Sequence, residues 1–364
     1  MQNSATLDEL DYELVAALQV APRAQWQQIG RALGIDGSTA ARRWARLHSE
    51  GLAWLTCYPL SIDGVSPILA VIEIDCAPGR LHEVAAELAL DVNLVTVELT
   101  TGARDLMITA AFFDHASLAR YVTFRLGALA GVVTTRSQVV TTSFTEGSRW
   151  RLDRTRMAHT ALSAQTQRRT PGYGSIHAAD IPLVTELSRD CRQSVTTLAE
   201  RTGMSPTTVR RRLARLDHDN AIAYRCEVAR FASGWPLSVT FWAATPLARA
   251  AEIGHAIAAM RETRMCYSMT GPRNLIFNVW LRTMADMPAF EARLTEAMPD
   301  LAIADRSMAL WPLKIGATLL DPHGRYLRHI PIGRWADRTA SGAEDALVDA
   351  LRTRATAADS PTDR

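Results

Sequence analysis

One offset runs through this chain of 364 residues: Gly34 and Gly203 open two similar stretches, GIDGSTAARRWARLHSEGLA and GMSPTTVRRRLARLDHDNAI, and 203 minus 34 is 169. The same offset pairs Asp11 with Asp180, Leu14 with Leu183, Leu18 with Leu187 and Arg23 with Arg192. Further on it pairs Cys57 with Cys226, Gly102 with Gly271 and Arg104 with Arg273, without a gap. The chain is a tandem duplication, and a period this long is that of a pair of domains, not of a short solenoid unit. Whatever one half folds into, the other half must fold into as well. A length of 364 residues suits two to four compact domains, and the repeat selects four.

Each half begins with three expected helices. Thr6 and Glu9 have the spacing of a capping box, and Leu7, Leu10, Leu14 and Leu18 then recur on one helical face. A second short helix holds Trp26, Ile29 and Leu33 and ends at Gly34; a third is expected from about Ser38 to Glu50, stopped at Gly51. In the second half Ser205 suits the N-cap, and Pro206 suits the first helical position, where a missing N–H is harmless.

Turning the third helix at about 100° per residue separates its faces. Val209, Leu213 and Leu216 share a core arc with their equivalents Ala40, Trp44 and Leu47. Thr207 and Arg211, with Ser38 and Arg42, come out opposite; Thr208, Arg210 and Arg215, with Thr39 and Arg46, flank them. Arg43 and Arg212 lie nearer the core arc and are expected to pair with acidic neighbours or phosphates. A hydroxyl and guanidinium face at the start of the second helix of a helix-turn-helix suits phosphates and guanine edges of double-stranded DNA. The plainer alternative is a solvated charged face on a three-helix bundle. The turn spacing, the position of the hydroxyls and the repetition all favour DNA.

After each three-helix unit the pattern changes to strand, helix, strand, strand, helix, strand. In the first half these are SPILAVIEID, GRLHEVAAELA, NLVTVELTT, RDLMITAAFF, HASLARYVTFRLGAL and VVTTRSQVVTTSF, and the second half repeats the order. That is the ferredoxin-like order, so the fold class is α+β. Helices on one face of such a sheet leave the other face bare, and the two sheets of this chain can cover each other. The expected domains are a helix-turn-helix at 1–56, a ferredoxin-like module at 57–145, a second helix-turn-helix at 179–226 and a second ferredoxin-like module at 227–320. Between them, 146–178 contains TPGYGS and reads as a flexible spacer. The extension 321–364 has no counterpart in the first half; it holds an expected helix from Ser341 to about Arg354 and ends in ADSPTDR, expected to be disordered.

The net charge of +2 means that any affinity for nucleic acid must come from a local basic face. The five cysteines are scattered and never in a C-x-x-C pair, so neither a metal site nor a disulfide framework is expected. No leader pattern opens the chain and no run approaches the length of a membrane span, so the expected location is the cytoplasm. No nucleophile triad, metal cluster or phosphate-binding glycine loop stands out, and no cofactor is expected.

D-x-x-L, then R-x-x-x-x-[IL]-[GA], then G-[IM]-x-x-[ST]-T-x-x-R-R-x-x-R-L, present in both halves, resembles the Lrp/AsnC family of transcriptional regulators. The resemblance implies a sequence-specific DNA-binding regulator. It also implies that the ferredoxin-like module dimerises, giving homo-oligomers, and binds a small effector near a G-x-x-D turn. On this chain that turn is Thr101, Gly102, Arg104 and Asp105, and in the second copy Thr270, Gly271, Arg273 and Asn274. The position before the acid, often tyrosine in the family, is arginine in both copies, and the acid survives only in the first. Two arginines there imply an anionic effector, an amino acid or another carboxylate; a bare hairpin is the alternative. With both copies on one chain, the family's dimer is expected to form as an intramolecular pseudo-dimer. The alternative function is enzymatic, because siroheme decarboxylases share the layout; they would need His and Arg in the sheet cleft. His82, His115 and His255 fall on or beside expected helices, so a non-enzyme is expected.

Overall fold

Two three-helix units stand 169 residues apart in the computed structural model, which describes residues 7–152, 174–331, 333 and 341–358. The first unit is α1 (Glu9–Val20), α2 (Trp26–Leu33) and α3 (Gly37–Ser49). The second is α6 (Ile181–Arg189), α7 (Val195–Thr202) and α8 (Pro206–His218). The cap expected at Thr6 lies outside the described residues; α1 is capped at Asp8, which exchanges carboxylate–amide hydrogen bonds with Asp11. Gly34 and Gly203 both adopt φ 68°, the left-handed conformation that the turn between helices requires and that side chains disfavour.

Each unit runs into a strand that the sequence reading did not anticipate. These are β1 (Ala53–Pro59) and β6 (Ile222–Val228), paired antiparallel with Ala53 opposite Val228 and Pro59 opposite Ile222. The domain boundaries drawn after residues 56 and 226 both fall inside this ribbon. Each unit's first helix reaches across to the other half: Tyr12 donates to the Ala232 carbonyl, Gln19 to the Cys226 carbonyl, and Thr56 to the Ser188 carbonyl in α6. The loops between first and second helices also meet. Arg23 donates to the Cys191 carbonyl, and Arg192, stacked on Trp26, donates to the carbonyls of Pro22 and Ala24 at 2.7 Å. Leu14, Leu18 and Leu47 thus share one core with Leu183, Leu187 and Leu216. The ends of the expected spacer join it, because Trp150, Leu152 and Ile176 are buried there; the rest of the spacer, 153–173, lies outside the described residues.

Both sheet modules have the expected order. The first is β2 (Ile68–Cys76), α4 (Leu81–Leu90), β3 (Leu94–Thr100), β4 (Leu106–Phe112), α5 (His115–Arg120, widening into a π turn over Tyr121–Leu126) and β5 (Val132–Thr145). The second is β7 (Leu237–Ala244), α9 (Ala250–Ala258), β8 (Thr263–Met269), β9 (Leu275–Leu281), α10 (Asp286–Ala297) and β10 (Ala302–Ile315). At 14 residues each, β5 and β10 outrun their own sheets. β5 leaves β2 after Val139 and pairs with β8 from Val140; β10 leaves β7 after Met308 and pairs with β3 from Ala309. The ring β2-β5-β8-β9-β7-β10-β3-β4 therefore closes on itself, and closure removes the exposed edges that a lone sheet would offer to other chains. Inside, Val71 and Met107 of one half meet Trp242 and Ile276 of the other. The sheet faces expected to recruit a partner are covered within the chain.

The extension adds β11 (Thr318–Leu320) and β12 (Tyr326–His329) beside β10, and a helix α11 (Ser341–Ala358). Its last residues, from Asp359, lie outside the described residues. Tyr326 N–H donates to the Gly51 carbonyl at 2.9 Å, and its ring packs on His48 and Trp54, so the extension braces the first unit. His329 bridges Thr318 Oγ1 at 3.3 Å and Ser188 Oγ at 3.1 Å. Burial, with Arg189 and Lys314 nearby, pushes its pKa down from 6.5 to about 4. The unfolded chain thus binds a proton that the folded chain resists, so stability present above pH 6.5 is lost as the pH falls toward 4. Urea unfolding at pH 7 and pH 5 should show this loss, on the order of 2 kcal/mol from this site, and His329→Gln should flatten it.

Candidate nucleic-acid interface and hairpin sites

The aspartate of D-x-x-L sets the posture of each third helix. Asp11 and Asp180 are 1% and 2% exposed, which is costly for a carboxylate unless it is paired. Arg43 donates to Asp8 at 2.6 Å and Asp11 at 2.9 Å, and Arg46 donates to Asp11 and to Glu50 at 3.1 Å. In the second unit Arg212 donates to Asp180 at 3.1 Å and to the Ala179 carbonyl, and Arg215 donates to Asp180. Arg43 and Arg212 thus meet the acidic neighbours expected for them. The structure differs at Arg46 and Arg215, expected beside the DNA face. They stand one turn beyond Arg43 and Arg212 on the same flank, and the same carboxylate holds them.

What remains outward is a smaller set. Ser38 and Arg42 in α3, and Thr207, Arg210 and Arg211 in α8, are exposed, and these three arginines make no ion pair among the described residues. Thr39 and Thr208 are half-buried, and the Thr208 N–H is used by the Ser205 cap at 3.2 Å. The two faces are unequal. The cap of α3 is Asp36, whose exposed carboxylate accepts from the Ser38 N–H at 2.8 Å; bonds from Ser38 hold its pKa below the usual carboxylate range. The cap of α8 is the neutral Ser205. A helix N-terminus favours an incoming phosphate, and a fixed carboxylate there opposes one. The first face therefore offers Arg42 against Asp36, and the second offers Arg210 and Arg211 unopposed.

The hairpins have the expected left-handed glycines, with φ 94° at Gly102 and 102° at Gly271. Each threonine stitches its hairpin to the other half: Thr101 exchanges hydrogen bonds with Met308, and Thr270 does so with Val139. Asp105 accepts from the Cys76 N–H at 2.8 Å; Asn274 accepts from the Thr245 N–H at 3.0 Å and also donates to its carbonyl. Acid and amide close the same turn, which is why the second copy can lack the acid.

The anion expected for the arginine pair is supplied from within. Arg104 is buried, donates to Glu73 at 2.9 Å and to Asp305, and lies 3.9 Å over the Trp242 ring. Arg273 donates to the same Glu73 at 3.4 Å. The motif could not reveal this, because Glu73 and Asp305 lie far from it in sequence.

A cavity of about 330 Å³ between the two sheets, under the β1–β6 ribbon, also escaped the sequence reading. Glu98, Arg225 and Arg264 face it, and the one available signal was a lone charge in the otherwise uncharged strand NLVTVELTT.

Residues 7–48 and 178–217 match the AsnC-type helix-turn-helix domain, and residues 69–150 match the Lrp/AsnC ligand binding domain. An uncharacterized HTH-type transcriptional regulator of Pyrococcus furiosus is 29% identical over 141 residues, 37% of this chain and 92% of that protein. HTH-type transcriptional regulator Ptr1 of Methanocaldococcus jannaschii is 26% identical over 146 residues, 39% of this chain and 97% of that one. Each relative thus spans about one repeat. The siroheme decarboxylase NirDL, solved in co-complex with an iron-uroporphyrin III analogue, shares the fold over 93% of this chain and 100% of its own, at a TM-score of 0.57 and 14% identity.

Arg104→Ala would strip the buried Glu73 of its closer partner. Breaking a buried pair this way should cost about 3 kcal/mol in urea unfolding.

Proposed function

Since the chain belongs to the Lrp/AsnC family as a tandem duplicate, with two AsnC-type readers and an Lrp/AsnC ligand binding domain, we propose that one copy of it acts as a complete, asymmetric reader of double-stranded DNA. The observation that carries this is the division of labour on the third helices. Four arginines are tied to Asp11 and Asp180, while Arg42, Arg210 and Arg211 stay outward and without ion pairs among the described residues. The common core holds both readers in one frame, so the spacing of two half-sites is built in. The operator is then an imperfect palindrome, bound more strongly by the second reader.

The finer points belong to the same reading: a cytoplasmic regulator under small-molecule control, whose further copies would meet its outer surfaces because the sheet faces are already used. No described helix is long and apolar enough to cross a membrane. The likeness to a siroheme decarboxylase covers nearly the whole chain and motivates the enzymatic alternative. Such chemistry was expected to need both His and Arg in the sheet cleft. Arg149, Arg225 and Arg264 line this one without a histidine among the described residues, and about 330 Å³ is near the lower end for small-molecule sites. The DNA reading accounts for more of the molecule.

Arg42→Ala and Arg211→Ala should each weaken binding to a genomic fragment selected with the intact protein, by about 1–3 kcal/mol where a base is read. Asp36→Ser should strengthen binding at low salt, with the gain shrinking as salt rises. Anisotropy titrations check both, and unchanged binding by the double arginine variant would remove the DNA assignment.

A further inference from the structure

The cavity between the sheets lies where the two halves face each other. In a dimer of identical chains every group around such an axis would appear twice. Here the offset of 169 places Tyr267 where the first half has Glu98, and Val95 where the second has Arg264. The charged groups of this cavity could not occupy a symmetric one without meeting their own copies. Glu98 is 6% exposed, faces the cavity, and accepts no hydrogen bond from any described residue. The other carboxylates and the amide around it are satisfied: Glu227 takes Arg225 at 2.6 Å and Arg264 at 2.9 Å, Glu146 takes Tyr58 and Ser148, and Asn278 donates to Ser238 and Thr240. Arg149, Arg225, Arg230 and Arg264 around the cavity and its side pocket face Glu98, Glu146 and Glu227, four guanidiniums to three carboxylates. The rest of the wall sets the apolar Leu69, Met107, Met265 and Trp280 beside the hydroxyl residues Thr96, Thr109, Ser143 and Tyr267.

We propose that this cavity binds a small uncharged molecule with an apolar body and one hydrogen-bond donor, which is received by Glu98. A cation would add to the surplus of guanidiniums, and an anion would bring a second negative charge to Glu98, in a poorly solvated space where an uncompensated charge is costly. A neutral donor supplies what Glu98 lacks, a hydrogen bond to a buried carboxyl that is otherwise left without one. Burial pushes the Glu98 pKa up to about 7, as expected of a carboxyl lacking such a donor. The inference stands apart from the DNA reading, and its test involves no DNA.

The test uses four naphthalene probes of one shape, titrated by fluorescence into the full chain at pH 8: 2-naphthol, 2-methylnaphthalene, 2-naphthoate and 2-naphthylmethylammonium. 2-Naphthol should bind once per chain, about tenfold more tightly than each of the others. Glu98→Gln removes one negative charge, and the preference should move about tenfold from 2-naphthol toward 2-naphthoate. Leu69→Trp, which fills the cavity, should abolish binding of all four. Equal binding of 2-methylnaphthalene and 2-naphthol, tightest binding of either charged probe, absence of saturable binding, or indifference to Leu69→Trp would each overturn the proposal. Should Glu98→Gln fail to fold, the ranking on the unmodified protein still decides.

Discussion

The pairing of β1 with β6 is the constraint from which the rest of the molecule follows. A seven-residue antiparallel ribbon is marginal by itself in water. Here α1 and α6 hydrogen-bond across it, Leu55 and Ile222 enter the core of both readers, and Tyr58 and Arg225 line the cavity below. It touches both three-helix units and the barrel together. Between separate chains the same pairing would cost the translational freedom of a partner; within one chain only a loop must close, and that cost grows slowly with loop length.

Once the halves share a ribbon and a barrel, symmetry is no longer imposed, and three places have departed from it. At the third helices, Asp36 is the N-cap in one copy and Ser205 in the other. At the hairpins, Trp242 stands where the first half has Glu73, so Arg104 stacks on Trp242 while both Arg104 and Arg273 pair with the single Glu73. In the cavity, Glu98 and Arg264 stand opposite Tyr267 and Val95. Each departure places a charge where a symmetric pair would have brought two like charges together or repeated a feature needed once.

Much of this was legible in the sequence. The repeat, the three helices with their left-handed glycines, and the βαββαβ order all follow from local periodicity and turn chemistry, which are properties of neighbouring residues. What was not legible depends on residues far apart. LAWLTCYPL is too short an apolar run to declare itself a strand before IAYRCEV is set beside it, 169 residues later. Arg46 and Arg215 read as flanking the DNA face on a helical wheel, and only the position of Asp11 and Asp180 at the start of each unit shows that a buried carboxylate ties them. The hairpin arginines suggested an anion, and the sequence could not say that Asp305 would come from the far end of the second half to meet Arg104. The extension offered no repeat to read it by, and its role as a brace on Gly51 and His48 emerged only in three dimensions.

The most direct measurement is the stoichiometry and symmetry of the DNA complex, taken together: native mass spectrometry of the protein on a selected operator, with hydroxyl-radical footprinting at the same ratio. The account predicts one chain per operator, protecting two segments of unequal depth. Two chains per operator with matched protection on either side of a dyad would contradict it, because the second reader of each chain would then not be completing the first.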